Sequence, residues 1–408
     1  MAAKHEYKNS QDLSLIISLY ISTWLLLPPA ILNNIIPYST PGGFFFFKFH
    51  PATWIFFIWL CINRFSFIVI ASHSKGINKF IIFFYILLSI YFILNDRFAL
   101  LSTFIDILVI PSIIAEIISS RSAKIKISLL TDVALTIILI TAVVLYIEVG
   151  TGIHMVEREG YDPYNRPGGW YGHPLAAATI FLVGIVLIEC RSENSGHLNT
   201  LAIFFLFGAI VLSGTRGPLL VGGFCLVRIL TKKIASGTLS QRFSTIIFCV
   251  LIMPFSLFHA LENGIFDRFL ALGFDDDSAD ARRNIWDVFH IITNNELFFG
   301  ISSYDVIEDL ALTTAGVPFV ENAFIIVCLQ SGIFAASIYF CIVIVLCFRA
   351  SFCNLSYGFM VLGSFIGTIT FATKGSSAPM IFLTGALVLA ATQEKSIYKL
   401  TSTNTQNQ

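Results

Sequence analysis

The sequence predicts an all-α, polytopic integral membrane protein. Three observations predict it: the composition, the length of the apolar runs and the uneven placement of the basic residues. Apolar residues fill 56% of 408 positions, charged residues only 12%, and the mean hydropathy is +0.80. A water-soluble globule does not have that balance. Basic and acidic residues cancel at 25 each, so no overall field points to nucleic acid or to an acidic partner. The information lies in where the charges stand.

A hydrocarbon core needs about 20 apolar residues per helix, with every backbone polar group paired inside the segment. Twelve runs are read this way: 12–34, 52–71, 78–95, 99–118, 127–149, 174–190, 198–213, 217–231, 243–262, 322–348, 355–373 and 376–393. The first is too long for a signal-peptide core and has no clear cleavage site, so it is expected to stay. With the N-terminus inside, fifteen Lys and Arg fall on cytoplasmic segments, nine fall outside in much longer loops, and Arg64 lies within a span. The positive-inside bias then places both termini in the cytoplasm.

The expected organisation is a single membrane domain. Residues 1–262 carry nine spans, 263–321 form a large outer loop, and 322–408 carry three more spans and a cytoplasmic tail. A second outer loop covers 150–173. A loop as long as 263–321 is expected to contain helices of its own. Residues 279–293 fit one: Ser278 can cap it, Asp280 lies in its first turn, and Ile285, Phe289 and Ile292 repeat at helical spacing. The eight cysteines form no CxxC pair and sit almost entirely in apolar stretches, which argues for small core hydrophobes over zinc, iron–sulfur or disulfide roles.

Several polar groups stand where chemistry is possible. Arg216, in Leu-Ser-Gly-Thr-Arg-Gly-Pro, sits in a connection of only about three residues between two spans. It can clamp a phosphate bidentately or simply snorkel to the interface. Arg282 and Arg283 follow an acidic run and precede Trp286. They read either as a salt-bridged solvated face or, if the helix folds back over the bundle, as phosphate or sugar contacts. Glu321 and Asn322 open the tenth span: a carboxylate drawn out of water can act as a general base, while the plainer reading is a helix-capping acid. Before His173-Pro174 runs Asn165-Arg166-Pro167-Gly168-Gly169-Trp170-Tyr171-Gly172. Its aromatics suit an interfacial belt or a sugar-stacking platform. Arg64, Asp106, Asp132 and Lys374 are costly in lipid and are expected to face the interior. No phosphate loop, metal-spaced His cluster or Ser-His-Asp arrangement is present in the sequence.

Taken in order, these features resemble the O-antigen ligase and O-antigen polymerase superfamily of bacterial envelope glycosyltransferases over about residues 150–345. The resemblance rests on Gly172-His173-Pro174, on Leu212-Ser213-Gly214-Thr215-Arg216-Gly217, on Arg282-Arg283-Asn284-Ile285-Trp286 followed by Leu297-Phe298-Phe299-Gly300, and on Glu321-Asn322-Ala323-Phe324 followed by Gln330-Ser331-Gly332-Ile333.

It implies a multi-pass protein of the bacterial inner membrane with a periplasmic site. Glycan transfer from an undecaprenyl-pyrophosphate-linked oligosaccharide would need neither metal nor cofactor. Arg216 and Arg282 would hold the pyrophosphate, and Glu321 would activate the acceptor hydroxyl. Arg283, His173, Arg166, Trp170, Tyr171, Asn322 and Lys374 are the expected substrate-binding groups, and a chain-length regulator is an expected partner beside membrane lipids. Ligases of this family usually carry His-Asn where this chain has Glu321-Asn322, which favours a polymerase over a ligase that loads lipid A-core. A proton-coupled transporter or flippase would instead use Asp106, Asp132 and Arg64.

Overall fold

The structure, a computed structural model, describes residues 2–39, 43–62, 76–120, 125–156, 166–191, 197–247, 250, 277–301, 303–317, 320, 322–366 and 370–406, with the backbone alone at some helical positions. The described residues form helices and their connections. Among the described residues four helices are long and apolar enough to cross a membrane: α4 (Phe98–Ser120), α5 (Ile127–Thr151), α6 (Pro174–Arg191) and α14 (Ile333–Cys353). Shorter apolar helical segments cover Leu13–Leu26, Pro51–Ile62, Lys79–Leu94, Leu198–Leu212 and Leu355–Phe365.

Local chemistry sets the helix ends. α1 (Ala2–Leu26) stops before Pro28-Pro29, which can neither donate to the helix ladder nor leave the preceding residue helical. α2 (Pro51–Ile62) and α6 each begin on a proline, whose missing N–H costs nothing there. α3 (Gly76–Leu94) and α4 are separated by a tight turn through Asp96, which has φ of 55°. α4 carries one π-helical turn, Ile105–Val109, at the buried Asp106. Such bulges concentrate at functional sites. α5 ends on Gly152 in the left-handed conformation. α7 (His197–Leu212) leads through Gly214, also left-handed, into α8 (Arg216–Ser236), and α9 (Leu239–Ile247) follows. Most of the run 243–262 lies outside the described residues.

The expected loop helix forms as α10 (Asp277–Asn284), a 3-10 turn Ile285–Asp287 and a last turn Val288–Ile291. Of its expected apolar stripe Ile285 is buried while Phe289 and Ile292 are only half-buried, and Val288 is buried in addition. Thr293 and Glu296 then make a reciprocal capping box that starts α11 (Asn294–Phe299), followed by α12 (Tyr304–Ala315).

Of the twelve expected spans, four correspond to helices of spanning length among the described residues, and one run is broken in two. The run 322–348 is α13 (Ala323–Ser331) and α14, broken at Gly332 (φ 82°). The rings of Phe324 and Phe340, sixteen residues apart, lie 5.5 Å centroid to centroid. A continuous helix would separate them by about 24 Å, so α13 folds back alongside α14 as a short hairpin arm. α15 (Leu355–Ile366) and α16 (Ser377–Gln406) complete the chain.

α6 and the apolar part of α16 form the centre; residues 177–188 of α6 are buried on all sides, as expected of a helix apolar all round. Lipid tails are as apolar as leucine, so close packing rather than water exclusion holds such helices together. Gly184 illustrates it: an added Cβ would stand 2.8 Å from Leu206 Cδ1 and 2.9 Å from Ile138 Cγ2. Outward faces stay apolar, with Phe80, Phe83, Ile140, Phe224 and Phe348 at least half exposed. In water these would be aggregation-prone patches; against hydrocarbon they are satisfied.

Candidate functional site

Contacts among the connections define one end of the bundle, here the upper end. The Trp24 indole, near the end of α1, stacks on His50, which precedes α2, at 3.6 Å and 5°. Ser376, before α16, donates to the Trp24 carbonyl at 2.6 Å, and Trp170, before α6, donates to the Leu26 carbonyl at 3.0 Å. The lower end is marked by Arg228 with Glu189 and Ser356, and by the Asp132–Arg191 ion pair at 2.7 Å.

Arg216 stands at the upper end. α8 and α15 run antiparallel: Arg228 meets Ser356, Phe224 stacks on Phe359 at 5.6 Å, and Val221 faces Gly363. The first residue of α8 is Arg216, with Nε and Nη2 shielded from solvent. Ser213 and Thr215 are buried and their hydroxyls meet at 2.9 Å. The left-handed Gly214 between them leaves room for the Arg166 side chain: a Cβ there would lie 3.2 Å from Arg166 Cδ. Two arginines fifty positions apart in the chain therefore share one neck of the upper end. A cation on the positive end of a 21-residue helix is electrostatically unfavourable by itself; together they make a setting for an anion.

The segment before α6 is tighter than its composition suggested. Gly168, Gly169 and Gly172 form a compact turn in which a Cβ on Gly168 would stand 2.6 Å from the Gly172 carbonyl carbon. The buried Glu148 ties it down, accepting from Gly169 N–H at 2.6 Å and holding His154. Tyr171 is consequently only 3% exposed. This corrects the reading of both aromatics as belt or sugar-stacking residues: Tyr171 is core, and Trp170 is half-buried. His173 is exposed and its Nδ1 accepts from Leu175 N–H at 3.2 Å, capping α6.

Lys374 belongs to a second cluster. Its ammonium donates to the carbonyls of Tyr38 (3.1 Å) and Lys48 and lies 4.5 Å from the Tyr38 ring centroid. The Asp106 carboxylate, at the π-turn of α4, accepts from Tyr38 Oη at 3.0 Å and from His50 N–H at 2.9 Å. Lys374 is thus occupied in strapping the 37–50 connection to the upper end, which corrects its expected role as a substrate contact. Burial pushes Lys374 down to about 8, against the pull of Asp106. Burial likewise pushes His50 to about 3. The ring is neutral, its Nε2–H donating to the Leu27 carbonyl at 2.8 Å while Nδ1 accepts from Ala52 N–H.

A third group locks the hairpin apex, and sequence reasoning missed it. The Arg97 guanidinium donates to the carbonyls of Phe299 (2.9 Å), Gly300 (3.0 Å), Ile301 (2.9 Å) and Gln330. The Tyr91 hydroxyl reaches those of Phe299 and Ser331 at 3.1 and 2.8 Å. Arg97 was visible only as one of nine outer cations, because its partners lie more than two hundred residues away. At the foot of the same arm Asn322 caps α13, its Oδ1 accepting from Phe324 and Ile325 N–H at 3.0 and 3.1 Å. That cap uses the amide oxygen structurally, contrary to a purely substrate-binding role.

Arg283 pairs with Asp280 at 3.4 Å on an exposed face, 69% and 56% accessible, which is the solvated-helix reading. Glu321, Arg64 and the Arg282 side chain lie outside the described residues. Asp132, expected inside, is 43% exposed in its pair with Arg191. No family model matches the chain, and no curated protein matches it.

Proposed function

We propose that this protein is an O-antigen-type polysaccharide polymerase of the bacterial inner membrane, with the upper end of the bundle facing the periplasm. The observation that carries the reading is the approach of the Arg166 side chain to Gly214, two residues before Arg216, which opens α8 at its positive end. Arginine suits this task because its planar fork matches two phosphate oxygens and stays charged at the interface.

In this scheme an undecaprenyl-pyrophosphate-linked oligosaccharide enters from the lipid side. The oxygen of an acceptor sugar on a second lipid-linked repeat attacks the anomeric carbon of the donor. As the new C–O bond forms, the bond to pyrophosphate breaks, its electron pair leaves with the phosphate, and the hydroxyl proton passes to Glu321. Arg216, with Arg166 and Arg282, stabilises the negative charge gathering on the leaving group, the larger part of the acceleration. General-base help contributes about 100- to 10,000-fold. Direct displacement inverts the anomeric centre. The half-buried Trp170 ring, beside the same neck, suits a sugar.

The test is genetic. In a strain lacking the gene, Arg216→Ala and Arg166→Ala should leave single repeat units on the lipid A-core and no long polysaccharide, while Arg283→Ala restores normal chains. Normal chains with both neck arginines replaced would refute the polymerase; long lipid-linked polymer accumulating unattached would instead indicate the ligase.

A further inference from the structure

Away from the neck, at the lower end, α3, α4, α14 and α16 enclose a cavity of about 440 Å³, within the roughly 300–1,000 Å³ typical of ligand sites. Its walls are apolar, from Ile81, Ile113, Phe382 and Leu389, with a Tyr85–Ser112 hydroxyl pair at 2.6 Å inside. Two features identify what it takes. First, the mouth opens sideways: the lining residues Ile344, Val345 and Phe348 of the membrane-crossing α14 are 50, 42 and 57% exposed. An occupant enters from hydrocarbon. Second, the lower rim carries Arg349 and Glu116. Arg349 is exposed and makes no hydrogen bond or ion pair among the described residues. A basic group at the end of a cleft between membrane helices is the usual setting for a lipid phosphate.

We infer that this cleft binds one phosphatidylethanolamine of the lower leaflet, with an acyl chain between α4 and α14, its phosphate on Arg349 and its ammonium beside Glu116. The apolar channel takes the chain, the guanidinium takes the phosphate bidentately, and the Glu116 carboxylate selects a zwitterionic headgroup over an anionic one. The site is remote from the neck and independent of the glycosyl-transfer reading.

The experiment uses the full-length protein, reconstituted in nanodiscs of equal phosphatidylethanolamine and phosphatidylglycerol, extracted into mild detergent and weighed intact by native mass spectrometry. Wild type should retain one phosphatidylethanolamine. Arg349→Gln, a surface change that leaves the fold intact, should lower retention about tenfold, the loss of one charge-assisted contact. Ala115→Phe and Ala386→Trp fill the channel and should abolish retention, scored on whichever keeps the wild-type melting temperature. Glu116→Gln should erase the preference over phosphatidylglycerol. Wild-type retention by Arg349→Gln, or by a folded channel-filling variant, overturns the site; equal retention of both lipids by wild type overturns the headgroup assignment.

Discussion

His50 shows at the scale of one residue how burial fixes chemistry. With its folded pKa near 3 and an ordinary value of 6.5, the unfolded chain binds a proton between those limits while the folded chain does not. Stability therefore rises with pH across that window and is lost as pH falls from about 6.5 towards 3, by on the order of a few kcal/mol. Melting temperatures in detergent should drop below pH 6.5 for wild type and much less for His50→Gln; equal slopes would show that another group controls the acid limb. Asp106 is the other half of that cluster. Asp106→Ala strands the Tyr38 hydroxyl and the His50 N–H and removes the negative charge that offsets the Lys374 ammonium, which should cost about 3 kcal/mol or more. Asp132→Ala breaks only a half-exposed pair and should change the same melt by no more than about 1 kcal/mol.

The hairpin of α13 and α14 is the element on which the upper end turns, and it was the least legible in the sequence. Residues 322–348 read as one apolar run because hydropathy counts side chains, whereas the fold-back is decided by the backbone. Its only local mark is Gly332, and the reason for a glycine appears only in three dimensions: a Cβ there would stand 2.0 Å from the Phe298 carbonyl oxygen, at φ of 82°. Gly332→Ala should therefore displace α11 or unfold the apex, with at least about 1–3 kcal/mol of backbone strain alone. Arg97 holds the apex through four carbonyls, a fan of donors that a lysine ammonium does not reproduce. Arg97→Lys and Arg97→Ala should both accelerate amide hydrogen exchange in 323–331 while leaving α6 protected; unchanged exchange would mean the apex is held elsewhere. The loop helix around 277–291 was legible because Ile285, Phe289 and Ile292 recur at helical spacing and face inward, Ile285 fully and the other two in part, although buried Val288 was not foreseen.

For the whole molecule, composition was enough to foresee an all-helical chain built to cross a membrane, and the alternation of basic residues foresaw which connections share an end. Lys48, Arg166, Arg216 and Lys374 were all expected on one side, and contacts gather their connections there. Roles within the site were less legible, because residue type says what a group can do and not what it is already doing. Lys374 and Asn322 look available in sequence, yet one straps two carbonyls and the other caps a helix. Arg166 and Arg216, far apart in sequence, meet around Gly214, beside which the Arg166 side chain passes, and the phosphate-binding role proposed for them awaits the binding test below.

The proposed grip on a lipid diphosphate is tested by titrating purified protein with farnesyl pyrophosphate, a short soluble stand-in for the donor's headgroup and first isoprenes, at low and high salt. Wild type should bind, Arg216→Ala should bind at least about tenfold more weakly, the loss of one bidentate contact, and Arg283→Ala should match wild type. Equal affinity of wild type and Arg216→Ala, with both proteins folded, would contradict the account.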